Sequence, residues 1–112
     1  MKFSYTLKWV VQRLTAVLLI PMSFWFIYQC ISFQNLNYLQ LQLFFHSYLN
    51  SFLFILMMFA MLVHAKLGCE TIVEDYVSSP SIKKITKNLI NFITFFSLFL
   101  VILAIFKLVV IQ

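Results

Sequence analysis

Three apolar runs, at residues 10–33, 48–68 and 89–111, take up most of this 112-residue chain, and each is long enough to cross a lipid bilayer. A helix rises about 1.5 Å per residue against a hydrocarbon core of ~30 Å, so about 20 residues suffice for one crossing. Inside hydrocarbon no water is available to the backbone N–H and C=O groups, and a short segment satisfies them by becoming helical. The expected fold is an all-α membrane protein of three transmembrane helices, forming a single domain over residues 1–112. Charged residues make up 10% of the chain and hydrophobic ones 63%, whereas soluble domains carry about 25% charged residues. No room is left for a soluble catalytic domain. Any chemistry must use groups within the membrane, at its surface, or on partner subunits.

The formal net charge of +5 does not point to nucleic acid, because the basic residues sit at the ends of the apolar runs. That is where they set membrane orientation. With the N-terminus inside, Lys2, Lys8, Arg13, Lys66, Lys83, Lys84 and Lys87 all fall on the inner side, while the first connection, 34–47, has no Lys or Arg. Lys107 lies near the far end of the third run, where its long stem can reach the outer interface. The C-terminus is therefore expected outside. The first run is too long for a signal-peptide core and is read as a retained helix. Cys30 and Cys69 fall at opposite membrane faces, too far apart to bridge, and are expected to act as packing residues. Pro80 disfavours helix at Ser79 and marks a turn before the third run.

His64 stands out within the second run, because an unsatisfied polar ring in hydrocarbon costs several kcal/mol. Two readings fit it: an interhelical hydrogen bond, or ligation of a metal or haem through a neutral imidazole nitrogen. Gly68 lies one turn further along the same face and would admit a flat macrocycle or a partner helix. Thr71 and Asp75 continue that face toward the aqueous boundary. His46, the other histidine, is 18 residues earlier, ~27 Å by helical rise, and is read as an interfacial loop residue. A second ligand to a low-spin haem at His64 would have to come from another chain. Beyond the second run, Glu74, Asp75 and Tyr76 are either a solvated loop with an interfacial aromatic, or a hydrogen-bonding site for a lipid-soluble quinone. Arg13 lies at the same inner level. It is either a snorkelling residue, or a partner for Asp75 or for a haem propionate.

These residues carry a resemblance. His64, Leu67, Gly68, Ile72, Glu74, Asp75, Tyr76 and Val77 stand at the spacing H-x-x-L-G-x-x-x-I-x-E-D-Y-V, and Trp9, Gln12, Arg13, Thr15, Ala16 and Pro21 form a first-helix motif. Together they resemble the smaller hydrophobic anchor subunit of succinate dehydrogenase, respiratory complex II. The resemblance implies a membrane anchor for succinate:ubiquinone oxidoreductase, located in a bacterial or mitochondrial inner membrane. Its partners would be a larger cytochrome b anchor subunit, an iron–sulfur subunit and a flavoprotein subunit, surrounded by membrane lipid. His64 would be one axial ligand to the iron of a b-type haem shared with the larger anchor. Tyr76 would hydrogen-bond ubiquinone with Asp75 in support, and Arg13 would lie near the haem propionates or the quinone pocket. The resemblance assigns succinate oxidation to the flavoprotein.

Two competing functions remain at this stage. A haem-free structural or assembly subunit of another respiratory complex would use His64 only for helix packing. A small pore would need a polar stripe through the whole bilayer, and residues 52–63 have none.

Overall fold

The computed structural model describes residues 5–110. Among them four helices follow in order: α1 (Tyr5–Phe33), α2 (Tyr38–His46), α3 (Tyr48–Tyr76) and α4 (Pro80–Val110). Three of these, α1, α3 and α4, are long and apolar enough to cross a membrane, so the all-α fold with three membrane-spanning helices is as expected. The molecule measures 50 × 26 × 23 Å, and its long axis follows the helices.

α3 is the central element, with α1 packed on one flank and α4 on the other. Four of the seven buried hydrophobic residues, Met57, Ala60, Leu67 and Val73, belong to it. α1 runs antiparallel to α3 in a clear register: Lys8 reaches Glu70, Gln12 lies beside Gly68, Thr15 meets His64, and Phe26 packs on Phe54. The α1 positions 8, 12, 15 and 26 are spaced by three or four residues or by whole turns, so they form one stripe on that helix. Pro21 lies inside α1 without ending it. A proline is tolerated in a membrane helix where neighbouring groups compensate for the lost backbone bond.

Besides α1, which begins five residues before its expected span, three boundaries differ from expectation. The first connection was expected as loop but contains the nine-residue α2. Asn37 accepts from the Gln40 backbone N–H at 2.9 Å, and Gln40 accepts in return from the Asn37 N–H at 3.1 Å, forming a capping box. At the other end of α2, Asn50 donates to the Phe44 carbonyl at 3.1 Å, and Ser51 donates to the Phe45 carbonyl. The first turn of α3 thus satisfies the last carbonyls of α2. His46 is accordingly the exposed last residue of a helix, not a loop residue.

The second difference is that α3 continues eight residues past the expected end of its span, and the third is that α4 begins nine residues before its own. Only 77–79 remain as a connection. Hydropathy marks where hydrocarbon ends, but helical hydrogen bonding does not stop there. The polar segment is held helical by the Lys66–Glu70 pair one turn apart, at 2.6 Å. Pro80 opens α4, where its missing N–H costs nothing. Ser79 precedes it outside the helix, with its hydroxyl 3.5 Å from the Ile82 N–H.

The two ends of the bundle are chemically distinct. One end gathers the rings of Phe26, Phe33, Phe44, Phe45 and Phe54, with centroids 5.0–6.2 Å apart. The opposite end gathers Lys8, Lys66, Lys83, Lys84 and Lys87.

Ala60, 2% exposed, sits where α3 is most tightly covered. Ala60→Leu is expected to lower the stability of the detergent-purified protein by about 1–3 kcal/mol through overpacking. Phe59→Leu on the neighbouring exposed face should have little effect, and thermal unfolding followed by circular dichroism compares the two.

Candidate functional site

His64 lies in the middle turns of α3, half-buried against α1. The Thr15 hydroxyl is 3.0 Å from its Nδ1. That hydroxyl is also 2.9 Å from the Val11 carbonyl and 3.0 Å from the Gln12 carbonyl of its own helix. The interhelical hydrogen bond therefore exists, but it occupies only one ring nitrogen. Nε2 has no partner among the described residues. Nor is it a buried orphan, since the one buried side-chain oxygen or nitrogen lacking a partner among those residues is Asn91 Oδ1.

Gly68 faces α1 near the Gln12 side chain. A Cβ built at Gly68 would meet Gln12 Nε2 at 3.7 Å and no other atom within 4 Å, an ordinary contact. The chain's own packing therefore does not require glycine there. Beyond it the polar stripe continues: Thr71 donates to the Leu67 carbonyl at 2.9 Å, and Asp75 is exposed further along. Asp75 lies 11 residues past His64, about 16 Å along the axis.

Tyr76 is the last residue of α3 and is 84% exposed. Glu74, Asp75 and Tyr76 thus occupy a helical turn at the basic end of the bundle, where a loop had been expected. No wall of this chain closes around the phenol. Arg13 is also exposed, and its guanidinium lies 5.4 Å from the centre of the Trp9 ring one turn before it. Among the described residues Arg13 forms no ion pair with Asp75, so the structure does not bring that suggested pair together. It leaves Arg13 oriented by an aromatic ring and available to an anion from outside the chain.

The basic end has a groove of about 970 Å³ whose lining includes Lys8, Lys66, Lys83, Lys84, Lys87 and Glu70. Glu70 pairs with Lys66 at 2.6 Å and Lys8 at 3.8 Å, tying α1 to α3. Glu74 pairs with Lys87 and, at 3.5 Å, with Lys83, tying α3 to α4. Five ammonium groups and the Arg13 guanidinium against the three carboxylates of Glu70, Glu74 and Asp75 leave this end positive.

Sequence reasoning missed three participants. Thr15 stood inside the first-helix motif but carried no assigned role; its signal was a hydroxyl two residues after Arg13, on the stripe that faces α3. Glu70 was hidden by lying just past the apolar run, where no helix was expected. Asn91 gave no signal beyond being an amide within an apolar run.

Chemically, the chain offers an imidazole with one nitrogen tied and the other accessible, and a phenol beside a carboxylate at a membrane surface. Among the described residues no cluster of three His, Cys, Asp or Glu could hold a bare metal ion. An iron bound at His64 must bring most of its donors with it, as a macrocycle does. The residues present fit such a group: His64 would hold it through one ring nitrogen, with a glycine one turn away.

The model of the succinate dehydrogenase/fumarate reductase transmembrane subunit family matches residues 3–104. No curated protein and no solved structure matches the chain.

Gly68 separates needs of the chain from needs of something bound to it. Because the Cβ has room, Gly68→Ala is expected to leave the thermal midpoint of the detergent-purified protein unchanged or raise it, by up to ~1 kcal/mol of helix propensity. A lowered midpoint would show that α1 itself needs the glycine.

Proposed function

The chain belongs to the succinate dehydrogenase/fumarate reductase transmembrane subunit family, and from that premise we propose that it anchors a succinate:ubiquinone oxidoreductase, shares a b-type haem with a larger anchor subunit, and completes the ubiquinone site. Membership implies association with the other subunits of complex II. The observation that carries the finer reading is the state of His64: Nδ1 is hydrogen-bonded across the helix interface, and Nε2 is left open. Ligating histidines characteristically have their second nitrogen held in this way.

In this proposal His64 Nε2 would hold the haem iron from this chain, and a histidine of the larger anchor would hold it from the other side of the interface. The haem, when bound, supplies a one-electron carrier within the membrane. Arg13, held by Trp9, lies at the inner level where a propionate can accept from its guanidinium. Tyr76 donates a hydrogen bond to a ubiquinone carbonyl, and Asp75 beside it supports proton delivery from water. Reduction of a quinone to quinol consumes two electrons and two protons, so a phenol and a carboxylate at the aqueous boundary suit the task. The exposure of Tyr76 within this chain is in keeping with a pocket whose walls come from the iron–sulfur and larger anchor subunits.

The proposed orientation places the N-terminus and the 77–79 connection inside, and the C-terminus outside. Its support is the clustering of Lys8, Lys66, Lys83, Lys84 and Lys87 at one end of the bundle. The quinone site then faces the cytoplasm or matrix of an inner membrane, the side on which succinate would be oxidised.

Two measurements test this function. The reduced-minus-oxidised spectrum of the purified complex should show a b-type haem band that His64→Ala abolishes, while flavin and iron–sulfur subunits still co-purify. A wild type without the band would leave a haem-free anchor. Separately, Tyr76→Phe should lower succinate-driven ubiquinone reduction by about 10²-fold or more, within the range for a positioned proton donor. Succinate oxidation by an artificial acceptor that takes electrons from the flavoprotein should be unaffected. Equal loss of both activities would place the Tyr76 effect in assembly instead.

A further inference from the structure

The function proposed above uses the bond at His64 Nδ1 but assigns no role to the Thr15 hydroxyl that makes it, the one hydrogen bond reaching His64 from another helix among the described residues. The inference below rests on the haem reading of His64. We infer that Thr15 is a positioning residue: it accepts a hydrogen bond from His64 Nδ1–H, fixes the ring in that tautomer, and so presents an unprotonated Nε2 to the iron.

A threonine hydroxyl has one proton to donate and two lone pairs to accept with. Three atoms lie within reach of it: the Val11 carbonyl at 2.9 Å, the Gln12 carbonyl at 3.0 Å and His64 Nδ1 at 3.0 Å. If the proton goes to a backbone carbonyl, the usual habit of threonine inside a helix, the oxygen meets Nδ1 as an acceptor. Nδ1 must then carry hydrogen, and Nε2 carries the lone pair. In the opposite arrangement Nδ1 would compete with two carbonyls for a single proton. Nε2 would then bear an N–H with no acceptor among the described residues, in a segment where an unpaired donor costs several kcal/mol. The first arrangement leaves neither helix with an unmet donor, and it is also the one that permits ligation.

The same bond sets the strength of the ligand. An acceptor on Nδ1–H raises the basicity of Nε2, which favours ferric over ferrous iron and holds the haem potential down. The geometry also fixes the ring plane, because Thr15 is β-branched and stiff at χ1 and α1 is locked to α3 by the Lys8–Glu70 and Phe26–Phe54 contacts on either side.

The test uses the intact complex purified as wild type, Thr15→Val and Thr15→Ser, with redox titration of the haem band and electron paramagnetic resonance of the ferric haem. Valine keeps the branched shape and removes the hydroxyl; serine keeps the hydroxyl. Thr15→Val is expected to reduce the preference for ferric over ferrous iron by about tenfold, an upward midpoint shift of about 59 mV for one electron, with altered ferric g-values. Thr15→Ser should return both toward wild type. If Thr15→Val loses the haem while Thr15→Ser keeps it, the inference also stands. It is overturned if Thr15→Val matches wild type in midpoint and g-values, or if serine behaves as valine does. A wild-type complex without a haem band is a different failure: it removes the haem reading itself, and the role of Thr15 with it.

Discussion

The antiparallel packing of α1 on α3 fixes the register in which a hydroxyl on one helix meets a ring on the other. Residue pairs along this contact, 8 with 70, 12 with 68, 15 with 64 and 26 with 54, sum to nearly the same number. Each step along α1 is thus matched by a step back along α3. A shift of one residue would rotate either stripe by about 100° and separate Thr15 from His64. No single contact holds this register. A weak charge pair secures one end and an aromatic pair the other, and the Thr15–His64 bond lies between them.

The two ends are held by different physics because they meet different solvents. At the aromatic end tilted and edge-on ring contacts join α1, α2 and α3 without needing any polar partner. At the basic end Glu70 and Glu74 each hold two lysines; the Glu74 pairs are exposed and contribute little stability individually, while Glu70 is half-buried between α1 and α3. Their effect is more geometric than energetic. They keep the inner turns of three helices together while leaving an excess of positive charge at that face.

The membrane spans were legible in the sequence because hydrocarbon imposes length and composition at once, and few sequences satisfy both by chance. The helix ends were less so: the apolar run of α3 stops near Gly68, whereas the helix continues to Tyr76. α2 was hidden for the opposite reason. Its glutamines lowered the hydropathy of 34–47, and the capping box of Asn37 and Gln40, which announces a helix start, was outweighed by that polarity. At the candidate site, His64 was conspicuous because polarity in an apolar helix is costly. Thr15 was not, since a threonine can satisfy its own hydroxyl on its own helix. Only the fold shows that this self-satisfied hydroxyl also lies 3.0 Å from a ring nitrogen of another helix.

The surface that this chain leaves uncovered is not uniform, and its differences bear on what covers it. Over most of α1 and α4 the exposed side chains are Leu, Ile, Val and Phe, which lipid tails solvate without penalty. The face near His64 is different, because an accessible imidazole lone pair gains nothing from a lipid chain and loses its hydration on entering one. At the inner end Tyr76, Asp75 and Arg13 present polar atoms that this chain does not enclose, but they lie at the aqueous boundary, where water can solvate them. Lipid therefore suffices for the greater part of the surface and water for the inner end, and the ring nitrogen of His64 is the position that neither suits. On the proposed function, His64 and the turn of Asp75 and Tyr76 lie along one path from the middle of α3 to its basic end, and each supplies one side of a site whose other side belongs to a neighbouring subunit.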